Sequence, residues 1–306
     1  MQEVFGTLQY LLAASPTAWI VSMLVLGLLV GSFLNVVIHR LPIMMEREWQ
    51  AQAHEILGPN AYDPPRAEPI ERKPYNLLVP RSACPKCGAL ITALQNVPVI
   101  SYLFLRGACA NCGTKISIRY PLIELFTGVL SAAVAWKFGV SWYCGAALLL
   151  TWALVALSAI DFDHQLLPDQ ITLPLLWLGL LLSLAPTLPS SWLPADSVSS
   201  IVGAAAGYLI LWSIYHLFKL LTGKEGMGYG DFKLLGALGA WLGWQSLLDI
   251  VLVSASVGSA VGITLMLRGR DRNVPIPFGP FLAAAGWIAL MWGDRLPARL
   301  MLAGTL

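Results

Sequence analysis

Four cysteines and a few aspartates carry the chemistry that this sequence can offer. "CPKCG" supplies Cys84 and Cys87, and "CANCG" supplies Cys109 and Cys112, with 21 residues between the pairs. Four thiolates at that spacing can close a tetrahedral zinc site and fix a loop too small to build its own core. The glycine after each pair, Gly88 and Gly113, suits a tight knuckle turning its amides toward sulfur. Two disulfides are the competing reading, and they require an oxidising compartment. A redox pair is a weaker rival, because one CxxC suffices for that and no thioredoxin-like pattern surrounds either. Cys144, the fifth cysteine, reads as apolar filler at the entrance to a span.

The carboxylates of interest stand at the edges of apolar runs. "GMGYGDFKLLGALGAWLG", Gly226–Gly243, places Asp231 behind Gly226, Gly228 and Gly230. Those glycines are free to take positive φ and could bring backbone close to a peptide, aiming Asp231 at it. An ordinary turn capping a helix from Phe232 is the alternative. A phosphate loop is another, but the lysine and hydroxyl of a Walker motif are missing. A second cluster, "LSAIDFDHQLLPDQITLP", holds Asp161, Asp163 and Asp169. Asp169 resembles a helix N-cap, and Asp163 a wet surface charge. Asp161 ends an apolar run, where a helix C-terminus gives a carboxylate no favourable dipole. Two aspartates brought within about 3 Å cannot both stay ionised. The ionised member of such a pair removes a proton from water while the protonated one polarises a scissile carbonyl. His39, His54, His164 and His216 are scattered, and no Ser–His or Cys–His set competes.

The elements that must position these groups are membrane helices. Of 306 residues, 57% are hydrophobic and 12% charged, against roughly 45–50% and 25% in soluble domains. Eight apolar runs approach the 17–25 residues that a span of about 30 Å needs: about 18–38, 121–138, 142–160, 170–187, 198–218, 232–248, 250–267 and 277–293, the pair 232–267 divided only by Asp249. The expected fold is therefore an all-α polytopic membrane protein of about eight transmembrane helices, with a zinc-binding loop domain after the first. The first run does not read as a cleaved signal peptide, since no Lys or Arg precedes it.

Lys and Arg orient the chain. The segment 40–120 carries Arg40, Arg47, Arg66, Arg72, Lys73, Arg81, Lys86, Arg106, Lys115 and Arg119. On the same side fall Lys219, Lys224, Lys233, Arg268, Arg270 and Arg272, against Lys137, Arg295 and Arg299 opposite. That bias puts the loop in the cytoplasm with Asp161 and Asp231 at the same face, where thiols stay reduced and a metal site is favoured over disulfides. The expected organisation is 1–39, an N-terminal region with the first span; 40–120, the cytoplasmic loop, a charged helix then a Pro-rich connector within 45–80; and 121–306, the remaining spans.

These residues resemble the type IV prepilin peptidases, bacterial inner-membrane enzymes of the GxGD class of membrane aspartic proteases. The likeness covers nearly the whole chain: "GSFLNVVIHRLP" from Gly31, both CxxC pairs, "NVPVISYLFLRGAC", "ISIRYPLIE", "DFDHQLLPD" and "GYGD". The resemblance implies Asp161 and Asp231 as the catalytic pair, with Gly228 and Gly230 in the glycine-rich loop. It implies cleavage of a basic leader from prepilins and type II secretion pseudopilins after a glycine. Methylation of the new N-terminal residue, usually Phe, from S-adenosylmethionine would follow. The cysteine loop goes with methyl transfer, for which Gly107 and Glu124 are candidate residues, Glu124 alternatively pairing with Arg119. Leu94 stands where the family usually has Trp. Ser32, Asn35 and His39, at i, i+3 and i+7, are expected to face inward. The expected partners are pilin precursors and the lipid bilayer, with no nucleic acid. The competing reading is a proton-coupled membrane transporter, although transporter sites tend toward the midplane of inverted repeats. A protease cutting within transmembrane helices would share "GYGD" without needing the cysteine loop.

Overall fold

The computed structural model describes residues 15–57, 74–184, 195–224, 226–269 and 276–293. They are helical apart from turns and two isolated bridges, Ala83 with Leu90 and Ala108 with Lys115. They fall into two compact units, one of residues 20–132 and one of residues 15–19 together with those from 133 onward.

In the first unit α1 runs Pro16–Leu57, through Arg40 and Pro42, rather than ending near residue 38. Arg40 is buried and donates to the carbonyls of Asn76 (2.9 Å), Pro80 (2.6 Å) and Leu77 (3.4 Å). The helix thus carries its charge out of the apolar stretch onto a loop that satisfies it. The Pro-rich connector lies largely in 58–73, outside the described residues. A short helix, α2 (Ile100–Phe104), precedes α3 (Arg119–Phe138). Gly27 and Gly31 let α1 close on α3, where a Cβ would press on Ser131 and on the Glu124 backbone. Asn35 faces inward and donates to the Tyr120 carbonyl at 3.1 Å, whereas His39 is exposed, since α1 turns its Arg40 edge to the core instead.

The second unit holds α4 (Trp142–His164), α5 (Asp169–Ser183), α6 (Ser197–Thr222), α7 (Tyr229–Leu242), α8 (Leu247–Leu267, after a 3₁₀ turn at Trp244–Ser246) and α9 (Gly279–Trp292). Among the described residues five helices are long and apolar enough to cross a membrane. The others expected as spans, α5, α7 and α9, have 15, 14 and 14 residues. At about 1.5 Å per residue these reach about 21–23 Å, short of a bilayer core of about 30 Å. The break between α7 and α8 falls at Gly243, φ +79°, and not at Asp249. Asp249 sits in the first turn of α8, where the helix dipole welcomes a carboxylate.

α7 is the centre of this unit. Every residue from Asp231 to Leu242 except the half-buried Lys233 is buried, as expected of a helix apolar nearly all round. Without a hydrophobic force between helices in lipid, small residues and polar contacts hold them together. Gly203 and Gly207 of α6 lie against the α7 backbone at Gly239 and Leu235. Ser200 donates to Ala240 O at 2.6 Å, and Trp241 Nε1 to Leu175 O at 2.8 Å. α9 is pinned near its far end by Lys137, which donates to the Leu290 and Met291 carbonyls.

Candidate active site and metal centre

Asp161 occupies the last turn of α4 and Asp231 the first turn of α7. Each is only 6% exposed. The helix around Asp231 begins at Tyr229 with Gly228 as its N-cap, φ −82°. Gly228 and Gly230, which are free to take positive φ, do not do so. Gly230 is needed for space instead, because a Cβ there would stand 2.7 Å from Leu167 Cβ.

Leu167 lies between the glycines next to the two carboxylates, with one flank on Gly230. Its other flank meets Gly279, the first residue of α9, whose amide donates to Asp161 Oδ2 at 2.9 Å. Asp161 lies close enough to Asp231 to act on its charge. Asp231 Oδ1 is buried with no hydrogen-bond partner among the described residues. A buried acceptor left open carries a desolvation cost, which a water or a substrate group would relieve. Asp163 is exposed, as expected. Asp169 is not an N-cap. Pro168 holds that position, and Lys233 from the first turns of α7 contacts both Asp169 oxygens, at 2.7 and 2.8 Å.

The cysteines form a second site within the first unit. All four are free thiols, with their Sγ atoms within 4.8 Å of one another. The two knuckles repeat one pattern. Cys84 N donates to Ala89 O and Cys109 N to Thr114 O, at 2.9 and 2.8 Å, and Gly88 and Gly113 turn the chain at φ +70° and +68°. Each donor set also reaches a sulfur: Asn111 Nδ2 stands 3.5 Å from Cys87 Sγ, and Thr114 Oγ1 3.2 Å from Cys112 Sγ. The Thr114 hydroxyl, with its amide, lowers the Cys112 thiol to about 6, and the Asn111 amide lowers that of Cys87. Donors that favour thiolate prepare sulfur for a metal ion, and the group could hold one.

Around this centre, Gly107 takes φ +67°, and a Cβ there would stand 2.8 Å from the Tyr102 hydroxyl oxygen. Glu124, 9% exposed, accepts from Val99 N at 2.7 Å and from Ser32. Val99 is itself at φ +59°, rare for a β-branched residue. Leu94 is exposed. The sequence reading missed Gly279 and Leu167; the "FGP" at the head of α9 was the available signal for the first.

The bacterial Peptidase A24 N-terminal domain matches residues 25–138, and the type IV leader peptidase family matches residues 148–263. Curated relatives named prepilin leader peptidase/N-methyltransferase include one from Stutzerimonas stutzeri, 57% identical over 94% of this chain and 95% of that protein. One from Aeromonas hydrophila is 58% identical over 88% and 89% of the two chains, and one from Burkholderia pseudomallei (strain 1026b) 52% over 95% and 91%. No solved structure matches. With likeness of this extent, the chain belongs to the type IV leader peptidase family.

Proposed function

We propose that this protein cleaves the leader from prepilins and related pseudopilins and then methylates the new N-terminus, with Asp161 and Asp231 as the hydrolytic pair. The observation that carries this reading is the pair itself: two buried carboxyls from separate helices, with Leu167 packed on both Gly230 and Gly279 beside them, and one carboxyl with an open oxygen. One carboxyl takes a proton from water as the water oxygen bonds to the scissile carbonyl carbon, and its partner gives a proton to the carbonyl oxygen. Collapse of that adduct breaks the C–N bond: the departing amine takes the proton held by the base, and a hydroxyl of the adduct returns its proton to the partner carboxylate as the carbonyl re-forms. No covalent enzyme intermediate is required, and no described feature favours the transporter reading.

The methyl-transfer half rests on the cysteine loop, with zinc as the metal and S-adenosylmethionine supplying the methyl group. A zinc tetrahedron with bonds near 2.3 Å has edges of about 3.8 Å; the Cys84 and Cys112 sulfurs are 3.8 Å apart. A disulfide would need about 2.05 Å. Cys84, Cys87, Cys109 and Cys112 would hold the ion, while Gly107 and Glu124 support the loop around it. The charge bias of the sequence supports a cytoplasmic position for this loop and the aspartates, and the family likeness supports a bacterial inner membrane.

The test is direct: purified protein, a prepilin and labelled methyl donor, with leader loss and label followed separately. Both activities are expected. A bulky Gly107→Val change is expected to cut methylation of a pre-cleaved pilin about tenfold or more, since left-handed backbone costs a branched residue about 1–3 kcal/mol. Cleavage by the same variant is expected to stay near the wild-type rate. Parallel loss of both would make the two sites one.

A further inference from the structure

Resting on the aspartate reading, we infer that the N-terminus of α9 is the part that aims Asp161, and that Gly279 is its positioning residue. Asp161 stands at the end of α4, where the carbonyls of its own helix oppose a carboxylate. The α4 C-cap residue Gln165, φ +52°, folds back to bond the Asp161 carbonyl, so the local chain offers the side chain no support. Support comes from 118 residues away. The Gly279 amide holds Oδ2 at 2.9 Å in a buried position, at the end of α9 whose dipole favours negative charge. The remaining oxygen is left for chemistry.

The absence of a side chain at 279 is what allows this. A Cβ there would lie 2.7 Å from Asp161 Oδ2, 3.1 Å from its Cγ and 3.2 Å from Leu167 Cδ2. Two of those atoms belong to the end of the Asp161 side chain, which yields by rotating. A methyl group at 279 therefore leaves the helix in place and turns the carboxyl off its amide. α9 is tied elsewhere by Lys137 on the Leu290 and Met291 carbonyls and by Trp287 Nε1 on Thr151 Oγ1 at 3.2 Å, so the helix resists following the displaced group.

The experiment compares Gly279→Ala with wild type and Asp161→Asn, in detergent, measuring kcat and KM for a prepilin, methyl transfer to a pre-cleaved pilin, and thermal stability. A misplacement near 1 Å costs about 100-fold. The expected result is a kcat lower by about that factor, with KM, methyl transfer and melting little changed. Gly286→Ala serves as the packing control on the same helix, since the atoms nearest a Cβ there all belong to Leu238; it is expected to lower the melting temperature and keep kcat. Should Gly279→Ala fail to accumulate, Gly279→Ala with Leu167→Ala relieves the leucine contact and keeps the methyl on Asp161, and kcat is read against Leu167→Ala alone. A Gly279→Ala enzyme with wild-type kcat, or one whose kcat loss only tracks its melting temperature, overturns the inference. Wild-type protein that leaves prepilin uncut would instead overturn the functional reading beneath it.

Discussion

Asp161→Asn and Asp231→Asn are each expected to abolish leader cleavage while the protein stays folded in the membrane. A positioned acid or base contributes about 10²–10⁴-fold, and a pair acting as one unit loses nearly everything when either member goes. The double variant is thus expected to be no worse than either single one. Asparagine is nearly isosteric and carries no charge into these buried sites, so stability is expected to hold or rise, which separates lost chemistry from lost fold. Asp163→Asn, at an exposed position, is expected to keep substantial activity. Both dyad variants are expected to methylate a pre-cleaved pilin at wild-type rate. Full cleavage by either one would remove the assignment.

Both residues were legible in the sequence because a carboxylate at the edge of an apolar run violates the local pattern, and such violations gather at functional sites. The four cysteines were legible for a different reason: knuckle geometry is local, and spacing alone encodes it. What stayed hidden depended on contacts far apart along the chain. Asp169 follows a proline before an apolar run and so has the signature of a cap, yet Lys233, 64 residues on, takes it as a salt-bridge partner instead. Arg40 read as the end of a span, but carbonyls of a loop some 40 residues later satisfy it and let α1 continue. The glycines before Asp231 suggested unusual φ, whereas Gly230 is small because Leu167 is against it. Composition gives no sign of which of these two reasons a glycine serves. The helix lengths were overestimated for α5 and α7 for a related reason. Hydropathy does not register the turn at Gly243 or the end of α5 at Ser183, since apolar residues follow within a few positions, Leu184 and Ala185 after α5 and Trp244, Leu247 and Leu248 after α7.

Removing the metal is expected to have an effect as large as removing an aspartate, on the other activity. The protein is expected to carry about one zinc per chain, and apparent binding of about 10–16 kcal/mol at a structural thiolate site serves as folding energy for the loop. Little else holds the two knuckles. The described residues between them supply isolated bridges, one short helix and one 3₁₀ turn, too little to bury a core. Cys84→Ser or Cys109→Ser is therefore expected to strip most of the metal, expose residues 74–118 to proteolysis and stop methyl transfer. The helices that carry Asp161 and Asp231 have their own interhelical packing and hydrogen bonds, and leader cleavage is expected to survive in the same preparation. Cys144→Ser is the control, being buried within α4 and outside the thiolate group; its metal content and methyl transfer are expected to match wild type. The measurements are zinc per chain, limited proteolysis and the paired assays. A metal-free protein whose loop still resists protease would show that the four sulfurs close together without an ion, and the metal site would be withdrawn.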